Sequence, residues 1–459
     1  MDDANAAPAR ANGFEGRPGR ATVSPTPARS VVFRNALLVT QDPQRRVVRG
    51  DLAVQDGRIV HVGPKAPAVG EEVDATGFAV TPGFINTHTH VAMTLLRGLA
   101  DDRDLAGFLK VLFAVDAKRT ESDIEAGAAA GIAEMLLSGT TSFLDLYYGE
   151  DAVARAVERL GIRGFLGWAV LDPAMTTQKG APIDNARGFI ERWKGHPTVT
   201  PLVAPQGVYV CGAETWLGAR DLAREKGTLV HFHLSETRKE VHEHEAKTGE
   251  RPPVWLDSIG FLGEGMVAAH GVWLTRREIQ ILADRKVGVA HCPSSNLKLA
   301  TGGVAPVEEL RASGVTVGLG TDSVASNNSL SMLREMHVAG LLQKHHRWDA
   351  SALPAGALLD LATIEGARLL GRADDLGSLE VGKRADLVLF RLDHPTLMPA
   401  RPEAIVSHLA YAASAEAVDS VYVDGAPVVR HRALVHEPWE RVRAAAESAA
   451  ATLWPSAAP

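Results

Sequence analysis

The residues with the most chemistry to offer are histidines spaced by one residue at the ends of apolar runs. His88 and His90 close the stretch TPGFINTHTH, and His231 and His233 lie in GTLVHFHLSE. In a β-strand successive side chains alternate faces, so each pair points to one side and its imidazoles can converge on one point. Single histidines follow in AAHG (His270) and VAHCP (His291), Asp322 ends VTVGLGTD, and Gln206 ends VTPLVAPQ. Two or three imidazoles with one carboxylate form a donor set suited to Zn2+, or to Fe2+ or Mn2+, with one coordination position left for water. Such a site brings the pKa of a water to about 7 and makes a nucleophile available at neutral pH.

Eight strand candidates carry these residues: GFINTHTH, TTSFLDLY, RGFLGWAV, VTPLVAPQ, GTLVHFHLSE, GMVAAHGV, KVGVAHCP and VTVGLGTD. They alternate with amphipathic helical stretches, among them ESDIEAGAAAGIAEMLLSG, for which Gly139 is the expected C-terminal stop, and EDAVARAVERLG. Eight strands in βα alternation predict a (β/α)8 barrel, in which side chains at the C-terminal strand ends build the active site. The polar residues fall at six of those ends. Outside the barrel, short alternating runs meet at Asp56-Gly57 near the amino terminus and at Asp424-Gly425 near the carboxyl terminus, each a hairpin signal. The fold class expected is therefore α/β, a TIM-type barrel over residues 81–374 with a small β-sandwich domain built from both chain ends, residues 30–80 and 375–435. A disordered tail over 1–29 and a C-terminal helix over 436–459 complete this reading.

The bulk properties fit a soluble enzyme. Of 459 residues 46% are apolar and 22% charged, enough for a large core, and the net charge of −7 offers no basic field for nucleic acid. Two cysteines, Cys211 and Cys292, make no disulfide framework and suit a reducing cytoplasm. No signal peptide or membrane-spanning run is read from the sequence.

The strings PGFINTHTHVAMTLLRG, HLSET, AHG, HCPSSNLKLATGGVAPV, GTDSVASNNSLSMLREM, ATIEGARLLG and GSLEVGKRADLVLF together resemble the amidohydrolase superfamily. Within it the chain looks like the aminohydrolases acting on nitrogen heterocycles, nearest to the 5-methylthioadenosine/S-adenosylhomocysteine deaminases. The resemblance implies metal ligands His88, His90, His233 and Asp322, with His231 the competing choice on the fifth strand. It implies Glu236 as the carboxyl that protonates a ring nitrogen, His270 as the group that hydrogen-bonds the attacking oxygen, and Asp322 as the acceptor of the water proton. One metal is implied rather than two, because LVAPQGVYV offers no lysine to bridge a second. The expected activity is hydrolytic deamination of an adenine nucleoside such as methylthioadenosine, adenosylhomocysteine or 5′-deoxyadenosine. The alternatives are guanine, 8-oxoguanine, pterin or s-triazine aminohydrolase or chlorohydrolase chemistry, and, more remotely, a non-catalytic scaffold.

Three substrate contacts depart from the family pattern. Gln206 stands where relatives keep a base-contacting histidine, Gly107 and Phe108 replace a Glu-Trp pair that binds sugar hydroxyls, and Trp168 stands about where some relatives keep an arginine. Gln206, Trp168 and His270 are the expected substrate contacts, and the substrate expected is smaller or more apolar than adenosylhomocysteine. The loop SSNLKLATGGVAP reads as a cover over the pocket, and His242 and His244 as part of a solvated helix face. EPWERVRAAAESAAATLW reads as a helix packed on the barrel or on a second subunit of a homo-oligomer.

Overall fold

A computed structural model describes residues 30–454. The tail expected over 1–29 and the last five residues lie outside the described residues.

Eight parallel strands run in chain order around a barrel: Phe84–Thr89, Thr140–Tyr147, Arg163–Val170, Val199–Pro205, Val230–Leu234, Met266–His270, Gly288–His291 and Val317–Leu319. The first and last meet through a parallel bridge between Thr89 and Asp322, with Asp322 N donating to His88 O at 2.8 Å and Thr87 Oγ1 to Leu319 O at 2.9 Å. All eight expected strands are present. The fifth and eighth end earlier than their sequence runs suggest: the backbone turns left-handed at Ser235 (φ +50°), just past the fifth, and at Asp322 (φ +59°), which follows the eighth and still bridges Thr89.

Single apolar side chains from several strands, Ile85, Leu144, Phe165, Leu202, Val267 and Ala290, fill the barrel interior below those ends. The barrel is thus a packed core with its open face at the C-terminal ends.

A separate nine-stranded mixed sheet takes five strands from the amino-terminal end of the chain and four from the carboxyl-terminal end. The two halves join where Phe78–Pro82 pairs antiparallel with Leu387–Arg391. Both Asp-Gly pairs are two-residue hairpin turns with positive φ at each position, +52° and +74° at Asp56-Gly57 and +49° and +71° at Asp424-Gly425. That is the type I′ geometry that matches the twist of the flanking strands. The sheet curls until these turns touch. A Cβ on Gly425 would lie 2.8 Å from Val54 Cγ1, so only glycine lets the halves close over Phe33, Leu38, Leu52, Val80, Leu387 and Tyr422.

Helix Glu121–Leu137 begins with a Thr120/Asp123 capping box and stops at Gly139, whose φ is +92°. Its face toward the barrel is stripped to glycine where it crosses the short 3-10 turn Val91–Leu96: a Cβ on Gly127 would lie 2.2 Å from Ala92 O. This close packing fixes the segment that directly follows His90. Helix Trp439–Leu453 packs on the same helix, burying Val442 and Leu453, and Trp454 Nε1 donates to Leu95 O at 2.8 Å.

The segment expected as a loop after the seventh strand is helical over Pro293–Lys298, started by proline at its first position. His244, expected on a solvated face, is buried against Trp255 with ring centroids 4.9 Å apart, whereas His242 is exposed. Among the described residues no helix is long and apolar enough to cross a membrane.

At the closed end of the barrel the Arg163 guanidinium, 1% exposed, ties the third strand to the mixed sheet through Asp386 at 3.3 Å and Asp424 at 3.0 Å. Removing it leaves Asp386 buried without its counter-charge. Arg163→Ala is expected to cost about 3–5 kcal/mol, read as a lower urea midpoint of unfolding; a midpoint equal to wild type contradicts this role.

Candidate active site

Each imidazole at the centre is oriented by a partner on its other ring nitrogen. His90 Nδ1 lies 2.5 Å from Leu146 O and His233 Nδ1 lies 2.7 Å from Gln206 O. A carbonyl only accepts, so both Nδ1 atoms carry hydrogen and both Nε2 atoms present lone pairs. For His88 the same logic runs through a relay. His231 Nδ1 donates to Val267 O (2.9 Å), which leaves His231 Nε2 to accept from His88 Nδ1 (2.7 Å) and His88 Nε2 bare. His88 Nε2 is buried with no hydrogen-bond partner.

The three Nε2 atoms converge. His90 and His233 approach to 3.3 Å, and Asp322 Oδ1 lies 3.5 Å from His88 Nε2 and 3.3 Å from His90 Nε2. His88, His90 and His233 form one group able to hold a metal ion, and His88, His270 and Asp322 an overlapping one. Converging lone pairs with an orphaned buried nitrogen fit a divalent cation in chemistry as well as position. His231 is placed behind His88, orienting it.

Asp322 is fixed on its other side. Its Oδ2 accepts from Ser295 Oγ at 2.5 Å and Ser326 Oγ at 3.1 Å, and its Oδ1 also accepts from Ser323 N at 2.7 Å. Burial works to raise its pKa, but the adjoining His88 and His90 rings hold the carboxyl well below the usual range. Glu236 is the opposite case. It is 3% exposed, and burial, followed by the nearby Asp322 and Glu240 charges, pushes its carboxyl well above the usual range and favours its protonated form. The turn that carries it is held by Glu240, which accepts from the backbone N–H groups of Ser235 (2.9 Å) and Glu236 (2.8 Å). His270 Nδ1 accepts from Asn296 Nδ2 at 3.1 Å, which leaves its Nε2–H as a donor, 3.8 Å from Glu236 Oε2. His270 and Asp322 both hold positive φ, +74° and +59°, a backbone conformation that costs a residue with a Cβ.

These groups face a cavity of about 400 Å3 whose lining includes His90, Gln206, His233, Glu236, His270 and Asp322. Trp168, expected to touch substrate, does not line it. Strand alternation turns Ala169 inward and sends Trp168 toward Phe189 (5.7 Å between centroids), with Nε1 donating to Gln178 Oε1 at 2.8 Å. His291 is buried and also stays out of the lining. Phe108 does face the cavity, beside Leu105, Leu109, Leu112 and Phe113 of helix Leu105–Asp116. Sequence reasoning missed Ser295, Ser326 and Asn296, although SSN directly follows the seventh strand. It also missed Tyr147 and Asp116. Tyr147 ends the second strand and was open to the same strand-end argument; Asp116, on a connecting helix, was not.

A barrel with this donor set at its open face defines a metal-dependent hydrolase. Residues 79–428 match the family model described as Amidohydrolase family, and the chain belongs to that family. It is 42% identical over 412 residues to a 5-methylthioadenosine/S-adenosylhomocysteine deaminase of Desulforudis audaxviator, covering 88% of this chain and 95% of the relative. It is 41% identical over 410 residues to a 5′-deoxyadenosine deaminase of Methanothermobacter thermautotrophicus, with the same coverage of 88% and 95%. Among solved structures, an adenosine deaminase from Xanthomonas campestris with bound zinc superposes with a TM-score of 0.89 at 34% identity, covering 93% of this chain and 98% of that one. A zinc-complexed atrazine chlorohydrolase from Arthrobacter aurescens gives 0.83 at 26% identity, covering 92% and 100%.

The hydrogen-bond relay separates the two histidines of the fifth strand. His233→Ala is expected to lose stoichiometric metal after dialysis. His231→Ala is expected to retain one site with affinity lowered about 10–100-fold, measured by metal titration. Full metal retention by His233→Ala sinks the assignment.

Proposed function

We propose that the protein is a zinc-dependent deaminase of adenine nucleosides that prefers those with a small, uncharged 5′ substituent, such as 5′-deoxyadenosine and 5′-methylthioadenosine. The observation that carries this reading is the cavity wall. Helix Leu105–Asp116 contributes an apolar face, Met175 and Leu171 extend it, and no lysine or arginine is among the described lining residues. Adenosylhomocysteine would bring a charged amino-acid carboxylate onto that wall without a cation to meet it, a costly desolvation. The names of the relatives supply the nucleoside, and the wall selects among nucleosides.

His88, His90, His233 and Asp322 would hold the metal, and their nitrogen and oxygen donors suit Zn2+ best. When bound, the ion supplies positive charge that makes a water acidic near neutral pH. Asp322, an unprotonated carboxylate aimed at the same point, takes the proton of that water. Glu236, protonated in the resting site, gives its proton to the ring nitrogen next to the amino-bearing carbon and so makes that carbon electrophilic. His270 donates its Nε2–H to the oxygen that adds there, stabilising the charge of the tetrahedral centre. The amine leaves with the proton held by Asp322, and the remaining hydroxyl proton returns to Glu236 as the lactam forms. Water and amine thus become lactam and ammonia, with both residues restored.

Two measurements test this. Ammonia release by zinc-loaded protein is expected to give kcat/KM for 5′-deoxyadenosine and 5′-methylthioadenosine at least about tenfold above that for adenosylhomocysteine. Turnover confined to guanine, a pterin or a triazine, or chloride release without ammonia, refutes the nucleoside reading. Glu236→Gln is expected to lower kcat by about 10²–10⁴ with metal content unchanged; turnover within a few-fold of wild type removes Glu236 from the proton relay.

A further inference from the structure

Asp145 carries a buried carboxyl group that the proton relay does not use. On the second barrel strand it stands between Leu144, which packs inside the barrel, and Leu146, which lines the cavity, so alternation sends its side chain outward into the layer between barrel and helices. Its Oδ1 accepts from Thr89 Oγ1 and from Val91 N, the latter at 2.7 Å. These two residues flank His90. The carbonyl of Leu146, one position further along the same strand, accepts from the His90 ring itself. Asp145 and Leu146 thus hold this histidine before, after and at its imidazole.

Glu150, the first residue of helix Glu150–Leu160, completes the arrangement. It is buried as well, and its Oε1 accepts from Tyr147 N at 3.0 Å. The carboxyl groups of Asp145 and Glu150 lie within hydrogen-bonding reach of each other. Among the described residues no other group donates to Asp145 Oδ2 or Glu150 Oε2. Two adjoining carboxyl groups out of water cannot both be ionised, so one of them carries a proton and gives it to the other as a hydrogen bond. Asp145 Oδ1 takes two donors and Glu150 only one, which makes Asp145 the anion and Glu150 the acid. Burial, then the charge of Asp145, pushes the Glu150 carboxyl well above the usual range, whereas burial lifts that of Asp145 only to about 6.

We propose that Asp145 is a positioning residue for the metal centre: its carboxylate fixes the backbone on both sides of His90, and Glu150 is the acid that lets this carboxylate stay charged in an apolar layer. The anion also sets negative charge behind the ligand cluster, where it favours a cation in front. The proposal rests on the metal site described above and adds to it a device that lies outside the cavity.

The test uses two near-isosteric variants, compared with wild type by metal titration against a competing chelator. Asp145→Asn keeps the size and one acceptor but loses the charge, and its Zn2+ affinity is expected to fall about 10–100-fold, the scale for groups that hold a ligand from behind. Glu150→Gln gives Asp145 an N–H in place of the O–H and keeps an oxygen for Tyr147 N, so its affinity is expected to stay within a few-fold of wild type. Visible absorption of the Co2+-loaded proteins reads the ligand geometry itself: a changed band pattern is expected for Asp145→Asn and the wild-type pattern for Glu150→Gln. Wild-type affinity and spectrum in Asp145→Asn overturn the proposal. So does an equal loss of affinity in both variants, or a lower urea midpoint of Asp145→Asn with no change in metal binding, which is the mark of packing alone. Wild-type protein that takes up no stoichiometric Zn2+ is the separate failure of the metal reading, and the proposal falls with it.

Discussion

Three buried imidazole lone pairs aimed at one point form an arrangement that neutral protein cannot satisfy. His88 Nε2 is buried without a hydrogen-bond partner. A buried acceptor left in that state costs free energy comparable to a lost hydrogen bond or more. A divalent cation removes the cost for all three at once. The rest of the structure serves to keep those lone pairs turned inward when thermal motion and protonation would turn them away. Backbone carbonyls of Leu146, Gln206 and Val267 do this, the last through His231. They come from or directly beyond neighbouring barrel strands, so the hydrogen-bonded ladder that holds the barrel together also sets the tautomers.

The C-terminal ends carry a backbone cost alongside this order. Left-handed φ values at Ser235, His270 and Asp322 each cost about 1–2 kcal/mol for a residue with a Cβ. They persist because side chains around them over-determine the geometry: Ser295 and Ser326 on Asp322, Asn296 on His270, Glu240 on the amides beside Ser235. The same turns end the strands early and let the side chains swing over the barrel mouth. The buried aliphatic plug below supplies the rigidity that makes such local strain tolerable.

This division explains what the sequence discloses. Short Leu- and Phe-bearing runs bounded by helices place the second and third strands at Thr140–Tyr147 and Arg163–Val170, their observed limits. The fifth and eighth runs read longer than the strands are, since a polar residue in a left-handed turn looks in sequence like one more strand position. Trp168 failed for a simpler reason: position along the strand was right, but alternation puts Ala169 on the inner face. His244 looked solvated amid charges, yet it falls on the helix face that meets Trp255. The carbonyls that orient the imidazoles have no residue identity, so no motif can report them. Asp116 was hidden because the tyrosine that donates to it comes from a barrel strand distant in sequence.

Chemistry and selection therefore sit on different parts of the chain. The groups that move protons are anchored at or just beyond strand ends and cannot shift without disturbing the ladder. The rest of the cavity wall comes from helix Leu105–Asp116 and the segment after the third strand. Such segments can change shape while the proton relay keeps its geometry. Tyr147 is a point where the two parts touch, because it ends a barrel strand and its hydroxyl reaches the helix terminus.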